Sequence, residues 1–183
     1  MKNSLLILSL SISSFQLMSC GGNENPAQNT TEEKKVNPAD LFKDDRPAYD
    51  ATAIDATAPV QEIIVIADGN TMSEMKYNTT EIKVKPGTTI KLTFKNNSTD
   101  ASMPHNWVLV HDGTMEAVAT AGISMGKDKS YVPDSKDVLI ASKLLGPGEE
   151  TILSFPAPAA GKYQFVCTYP GHWSIMHGTF VVE

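Results

Sequence analysis

One short stretch near the end of the chain, CTYPGHWSIMHG at residues 167–178, is dense in side chains that bind metal ions. Cys167, His172 and Met176 all fall within this single stretch. A thiolate, an imidazole and a thioether are soft to borderline ligands, which suit copper in either oxidation state and suit calcium or magnesium poorly. The stretch therefore supplies three candidate copper ligands.

A second imidazole comes from His105, which stands in MPHNWVLV just before an apolar run. Two histidines and a cysteine in one plane, with a long bond to an axial methionine, make up a blue-copper electron-transfer site. Each residue alone would be ordinary, because a lone Met or Cys in a β domain usually packs in the core. Together they predict one type 1 copper ion, Cu(I) or Cu(II), held by His105, Cys167, His172 and Met176.

The two cysteines of the chain have different expected roles. Cys20 closes the sequence LMSC after Lys2 and an apolar run, a pattern that resembles a bacterial lipoprotein signal. The apolar run is shorter than the ~20 residues of a membrane-spanning helix and is interrupted by serines. We therefore expect residues 1–19 to be a signal peptide and Cys20 to carry lipid. Cys167 is then the remaining thiol in an oxidising compartment, which favours its ligation to a metal.

The segment that follows is expected to be a tether. Residues 20–56 start at the lipidated cysteine and are rich in Asn, Asp, Pro, Ala and Thr without an apolar period. The net charge of the chain is −6 and neither the tether nor the domain is basic, which argues against nucleic acid as a partner. The prediction is a protein of the bacterial cell envelope, held at the membrane by lipid alone. It faces the periplasm from the outer or inner membrane, or lies on the cell surface.

Residues 57–183 are expected to form one all-β domain that positions the ligands. Compact or alternating apolar runs indicate strands at 62–66, 81–97 (about a Pro86-Gly87 turn), 107–110, 151–155, 162–167 and 178–182. Polar residues between most apolar ones predict an antiparallel sandwich with one wet face per strand. The exception is residues 113–122, where Thr114 and Gly122 are expected to begin and end a short helical insertion.

Three segments carry a family resemblance: MPHNWVLV, GKDKSYVPDSKDVLIASKLLGPGEE and CTYPGHWSIMHGTF. They resemble azurin and the lipid-anchored azurin-like auracyanins over essentially all of residues 61–183. The resemblance implies a cupredoxin fold, a Greek-key β-barrel of about eight strands. It also implies three equatorial copper ligands, His105, Cys167 and His172, with Met176 as the axial ligand. The implied activity is one-electron transfer, with weak and transient binding to redox proteins such as c-type cytochromes or terminal oxidases and reductases.

The same resemblance assigns roles to residues around the ligands. Asn106 matches an asparagine that steadies the ligand loops and hydrogen-bonds near the thiolate sulfur, and Trp107 matches a buried core indole. Tyr169 and Pro170, inside the ligand loop, are expected to support the ligands. Pro104 stands where azurin has a glycine whose carbonyl lies near the metal, so a weak fifth bond from the Pro104 carbonyl stays open. Azurin's disulfide has no counterpart, and Ser142 replaces one of its non-ligand histidines.

The lack of charged side chains in the two ligand segments suggests where electrons leave the protein. Segments 103–107 and 167–178 contain no charged side chain, which suits brief encounters with a partner. The expected exit is His172. The expected docking patch around it consists of Met103, Pro104, Trp173 and Ile175. His111 and His177 lie outside the ligand pattern and are expected to be solvated.

Three other functions compete with the electron carrier. A copper store or delivery protein would use exposed, often Met-rich ligands, whereas the eight methionines here are scattered. A domain of a copper enzyme needs further ligands, usually histidines beside the cysteine, and Val166 and Thr168 stand there instead. A zinc-binding structural domain would not need the methionine. The sequence therefore favours an electron carrier that is not an enzyme and that acts as a monomer.

Overall fold

A computed structural model describes residue 44 and residues 46–183. Within them the chain forms nine strands, one α-helix and one 3-10 helix. The strands are β1 (Val60–Asp68), β2 (Lys76–Tyr77), β3 (Glu81–Val84), β4 (Thr89–Asn96), β5 (Val108–His111), β6 (Val138–Ala141), β7 (Glu150–Pro156), β8 (Gly161–Val166) and β9 (His177–Val182). The helix α1 spans Met115–Ile123, and the 3-10 helix spans Lys127–Lys129.

The strands form two sheets that enclose the core. The first sheet has the order β2-β1-β4-β7, and the second has the order β3-β9-β8-β5-β6. The apolar side of each sheet faces inward, and the largest fully buried side chains are Trp107, Phe94, Phe155, Phe165 and Phe180. Trp107 is 0% exposed with its ring centroid 6.0 Å from that of Phe165, as expected for a core indole. The predicted all-β sandwich with one helical insertion is confirmed.

The expectation that the sheets are antiparallel throughout is wrong. Of the seven strand pairs, β1–β4 and β3–β9 are parallel. The Pro86-Gly87 turn joins β3 in one sheet to β4 in the other, so it is a crossover between sheets. Alternation of apolar residues indicates which face of a strand is buried, but it carries no information about the direction of its neighbour.

The helical insertion differs from the prediction at its C-terminal end. Thr114 occupies the N-cap position without a side-chain cap and donates its hydroxyl proton to the His111 carbonyl at 2.8 Å instead. Gly122 lies inside the helix and is buried. A Cβ on Gly122 would stand 2.1 Å from the carbonyl oxygen of Tyr131. The glycine therefore permits a close backbone approach and does not end the helix.

The compact unit begins earlier than the sequence suggests, at Arg46. The Tyr49 hydroxyl donates to the Pro156 carbonyl, and Arg46 forms an ion pair with Asp137. Within the segment predicted as the tether, Tyr49 and Ala51 pack against the core, and the division of the chain at residue 56 stays a prediction. Cys20 and the signal segment lie outside the described residues. No helix in the described part of the chain has the length and apolarity needed to cross a membrane.

Candidate metal centre

The sandwich brings the predicted ligands together from two places in the chain. His105 lies just before β5, where its backbone exchanges hydrogen bonds of 3.0 and 2.8 Å with Leu145. Cys167 follows directly after β8, which pairs with β5 in the antiparallel direction. The start of β5 and the end of β8 therefore meet at one edge of the second sheet, and both ligands stand there.

The ligand loop between β8 and β9 is closed by its own backbone. The Cys167 N–H donates to the Met176 carbonyl at 2.9 Å, and the Met176 N–H donates to the His172 carbonyl at 2.8 Å. The His172 N–H donates to the Tyr169 carbonyl at 3.0 Å. These bonds fix the three ligand-bearing residues of the loop relative to one another, and Met176 is 0% exposed within the core.

Three donor atoms form a triangle of the size that a metal ion requires. The Cys167 Sγ lies 3.9 Å from His105 Nδ1 and 3.7 Å from His172 Nδ1, and the two nitrogens are 3.2 Å apart. The point equidistant from all three atoms lies about 2.1 Å from each, within the ~2.0–2.3 Å range of metal–nitrogen and metal–thiolate bonds. The residues present therefore fit a bound metal ion.

Burial sets the protonation of these groups in the absence of metal. It lowers the pKa of His172 to about 4, and burial together with the neighbouring His172 lowers the pKa of His105 to about 4. Burial raises the pKa of the Cys167 thiol to about 11, and hydrogen bonds from the backbone N–H groups of Asn106 and Tyr169 partly oppose that rise. At neutral pH the imidazoles are thus neutral and ready to bind, whereas a metal must displace the thiol proton.

Comparison with known proteins identifies the metal. The family described as "Copper binding proteins, plastocyanin/azurin family" matches residues 63–183. The chain belongs to this family. Auracyanin-A of Chloroflexus aurantiacus is 43% identical over 123 residues, which cover 66% of this chain and 75% of the relative. Azurin of Pseudomonas aeruginosa is 35% identical over 129 residues, covering 67% of this chain and 86% of the relative.

Solved structures of the family show the same fold. The "blue" copper protein auracyanin A from Chloroflexus aurantiacus superposes with a TM-score of 0.61 at 38% identity, covering 68% of this chain and 99% of that one. The copper prediction and the cupredoxin fold are therefore confirmed. This plastocyanin/azurin protein has a type 1 copper site formed by His105, Cys167, His172 and Met176, and its family function is electron transfer.

Asn106 ties the two ligand segments of the copper site together. Its Nδ2 donates to Thr168 Oγ1 and to the Ser130 carbonyl, each at 2.7 Å, and its Oδ1 accepts from the Thr168 N–H at 2.8 Å. Because Thr168 follows Cys167 and Asn106 follows His105, this amide links the neighbours of two ligands. Close by, Ser142 Oγ accepts a hydrogen bond from the backbone N–H of Trp107 at 2.9 Å.

Two residues that sequence reasoning missed support this arrangement. Ser130 and Tyr131 both have left-handed backbone conformations, with φ of 55° and 57°. Ser130 presents its carbonyl to Asn106, and the Tyr131 ring packs edge-on against Tyr169 with centroids 5.3 Å apart. The ring centroid of Tyr169 in turn lies 4.7 Å from that of His172. No local sequence signal marks two consecutive non-glycine residues as left-handed.

The residues predicted for the docking patch occupy different depths. His172 is 1% exposed and Met103 is 6% exposed, so neither offers much surface to a partner. Trp173 is half-buried and packs against a second apolar cluster under α1. Ile175 is 50% exposed. Met72, which sequence reasoning missed, is 46% exposed and has its Cε 3.6 Å from the place where a Cβ on Gly171 would stand.

The other predicted residues differ in their burial. Pro170 is half-buried in the ligand loop and Pro104 is half-buried beside His105. The fifth copper bond from the Pro104 carbonyl stays a prediction. His177 is exposed, as expected, whereas His111 is half-buried with its ring centroid 5.8 Å from that of Tyr163. The side chain of His111 is therefore only partly solvated.

Proposed function

We propose that this protein is a lipid-tethered one-electron carrier of the bacterial cell envelope, facing the periplasm or the cell surface. The observation that carries the electron-transfer role is the ligand triangle, which has the dimensions of metal–ligand bonds. A site held by the fold and acceptable to both Cu(I) and Cu(II) needs little rearrangement when the oxidation state changes. The protein then cycles between the two states without making or breaking covalent bonds.

The same site argues against the competing functions. Within residues 46–183, His105, Cys167 and His172 are the one group of three or more His, Cys, Asp or Glu ligands with metal-binding spacing. This supports a carrier that is not an enzyme, because Val166 and Thr168 leave no bridge to a second copper. Burial of the ligands also disfavours a delivery protein, whose ligands must be accessible for exchange. We propose that the carrier works as a monomer.

The tether is tested by replacing the candidate lipidation site. Cys20→Ser should release the protein from membranes into the soluble fraction while its visible spectrum stays unchanged, because the copper ligands are elsewhere. Fractionation of cells and intact-mass measurement of the membrane-extracted protein check this. An unmodified Cys20 in the membrane-extracted protein would refute the lipid anchor and leave the copper function intact.

The redox partners are proposed to be proteins such as c-type cytochromes or terminal oxidases and reductases that bind weakly near His172. Because His172 is 1% exposed, the contact must involve the residues that cover it. Ile175 and Met72 supply the exposed apolar surface there, and Trp173 and Pro104 form the half-buried edge. Met103 is left out of this patch because it is buried.

Ile175→Asp should slow electron self-exchange of the copper-loaded protein while its visible spectrum is retained. An added carboxylate costs a few kcal/mol if it becomes buried and unpaired in the encounter. The matched control is Ile64→Asp, because Ile64 is 58% exposed on β1, a strand that carries no ligand. NMR line broadening measures the rate for both variants. Equal rates in Ile175→Asp and Ile64→Asp would place the docking surface elsewhere.

A further inference from the structure

One buried hydroxyl reaches the chain segment next to a copper ligand from the opposite sheet. Tyr77 belongs to β2 in the first sheet and is 5% exposed. Its ring packs against Phe94 and Phe165, with centroid distances of 6.2 and 5.6 Å. Its hydroxyl donates a 2.6 Å hydrogen bond to the backbone carbonyl of Asn106, in the segment that carries His105.

The carbonyls of residues 105–107 each accept a hydrogen bond, and only the middle one accepts it from a side chain. The His105 carbonyl accepts from the Leu145 N–H at 2.8 Å, and the Trp107 carbonyl accepts from the Ser142 N–H at 2.9 Å. Between them, the Asn106 carbonyl accepts from the Tyr77 hydroxyl. The donors to the two neighbouring carbonyls, Ser142 and Leu145, follow β6, which lies in the same sheet as β5. Tyr77 instead reaches the Asn106 carbonyl from the opposite sheet.

Asn106 also faces the copper thiolate through its own N–H, which hydrogen-bonds to the Cys167 sulfur. The carbonyl of this residue is therefore fixed by Tyr77 while its N–H is directed at the sulfur. Burial is the main cause that raises the pKa of Tyr77 well above its usual range, and the nearby Cys167 adds to the rise. The phenol consequently remains a proton donor under all ordinary conditions.

We propose that Tyr77 is a positioning residue for the copper thiolate, because its bond to the Asn106 carbonyl fixes the Asn106–Trp107 peptide and so restrains Asn106, whose N–H donates to the Cys167 sulfur. An N–H donor stabilises negative charge on the sulfur, and the thiolate keeps more of that charge when it binds Cu(I) than when it binds Cu(II). Hydrogen bonds to a ligand sulfur therefore tune the potential of a copper site. With the donor in place, the reduced state is favoured.

Tyr77→Phe tests the proposal because it removes one oxygen atom and leaves the ring packing in place. We expect a lower reduction potential and a shifted thiolate-to-copper absorption band. In the copper-free protein, the Asn106 amide should exchange its hydrogen about fivefold faster, which corresponds to roughly 1 kcal/mol for a net hydrogen bond. This last readout does not depend on the metal.

The matched control is Tyr163→Phe, since the Tyr163 hydroxyl donates to a different backbone carbonyl, that of Ala159, at 2.9 Å. Tyr163→Phe should leave the potential, the band and the Asn106 exchange rate unchanged. The proposal would be overturned if a folded Tyr77→Phe protein kept the parent potential, or if both variants shifted it equally. A drop in thermal stability of Tyr77→Phe with an unaltered potential would show that the hydroxyl only supports the fold.

Discussion

Replacing Cys167 with serine should abolish the intense blue colour of the copper-loaded protein and its electron self-exchange. The colour of a type 1 site arises from charge transfer between thiolate and Cu(II), and this chain has no other thiol among residues 46–183. A serine hydroxyl at this fully buried position remains protonated and is a hard, weak ligand. The effect is therefore complete loss of the band and not a shift, as measured by visible absorption and by EPR.

Met176→Leu is the comparison that separates loss of the thiolate from general damage to the loop. The axial thioether is a long, weak bond, so the three equatorial ligands should still hold copper and keep the blue band in this variant. Its potential should change while its colour persists. A Cys167→Ser protein that still showed the strong band would require another sulfur ligand and would contradict the assigned site.

Gly122→Ala should lower the free energy of unfolding by about 1–3 kcal/mol, the usual range for a group forced into packed space. In a helix without tertiary constraint the same change would stabilise the protein by up to ~1 kcal/mol. Here the added Cβ would meet the Tyr131 carbonyl at 2.1 Å, which is backbone and must shift. Ser130 directly precedes Tyr131, and its carbonyl accepts a hydrogen bond from Asn106 beside the copper ligands. A shift of this segment should therefore also change the copper spectrum.

Thr120→Ala provides the control for this prediction. Thr120 is an exposed residue in the same helix, and its replacement by alanine raises helix propensity without adding atoms to a packed site. Urea denaturation of the copper-free proteins should show Thr120→Ala unchanged or slightly more stable. A Gly122→Ala protein as stable as Thr120→Ala would mean that the segment at Tyr131 yields without strain.

The ligand set was predictable because ligand chemistry depends on residue type, and three of the four ligands lie close together in sequence. Strand positions followed from apolar alternation for most of the sandwich. The parallel pairing of β1 with β4 was not predictable, since side-chain pattern is the same for either direction. The packing of Tyr49 on the domain was missed because one aromatic residue within a polar segment carries no periodic signal.

The support around the ligands was the least predictable part. Asn106 was found through the family resemblance, whereas Ser130 and Tyr77 contact it from positions 24 and 29 residues away in the chain. Such contacts depend on which loops the completed sandwich brings together. A buried tyrosine in a two-residue strand is an ordinary core residue until the acceptor of its hydroxyl is known.

The backbone closure of the ligand loop has a consequence for how such proteins diverge. Because Cys167, His172 and Met176 are tied to one another by hydrogen bonds within the loop, exposed residues between them, such as Ser174 and Ile175, can change without new support from the sandwich. The loop behaves as an interchangeable module joined to the scaffold at β8 and β9. Changes in its exposed side chains can therefore alter which redox partner binds, while His105 and Asn106 outside the loop stay constrained by the copper site itself.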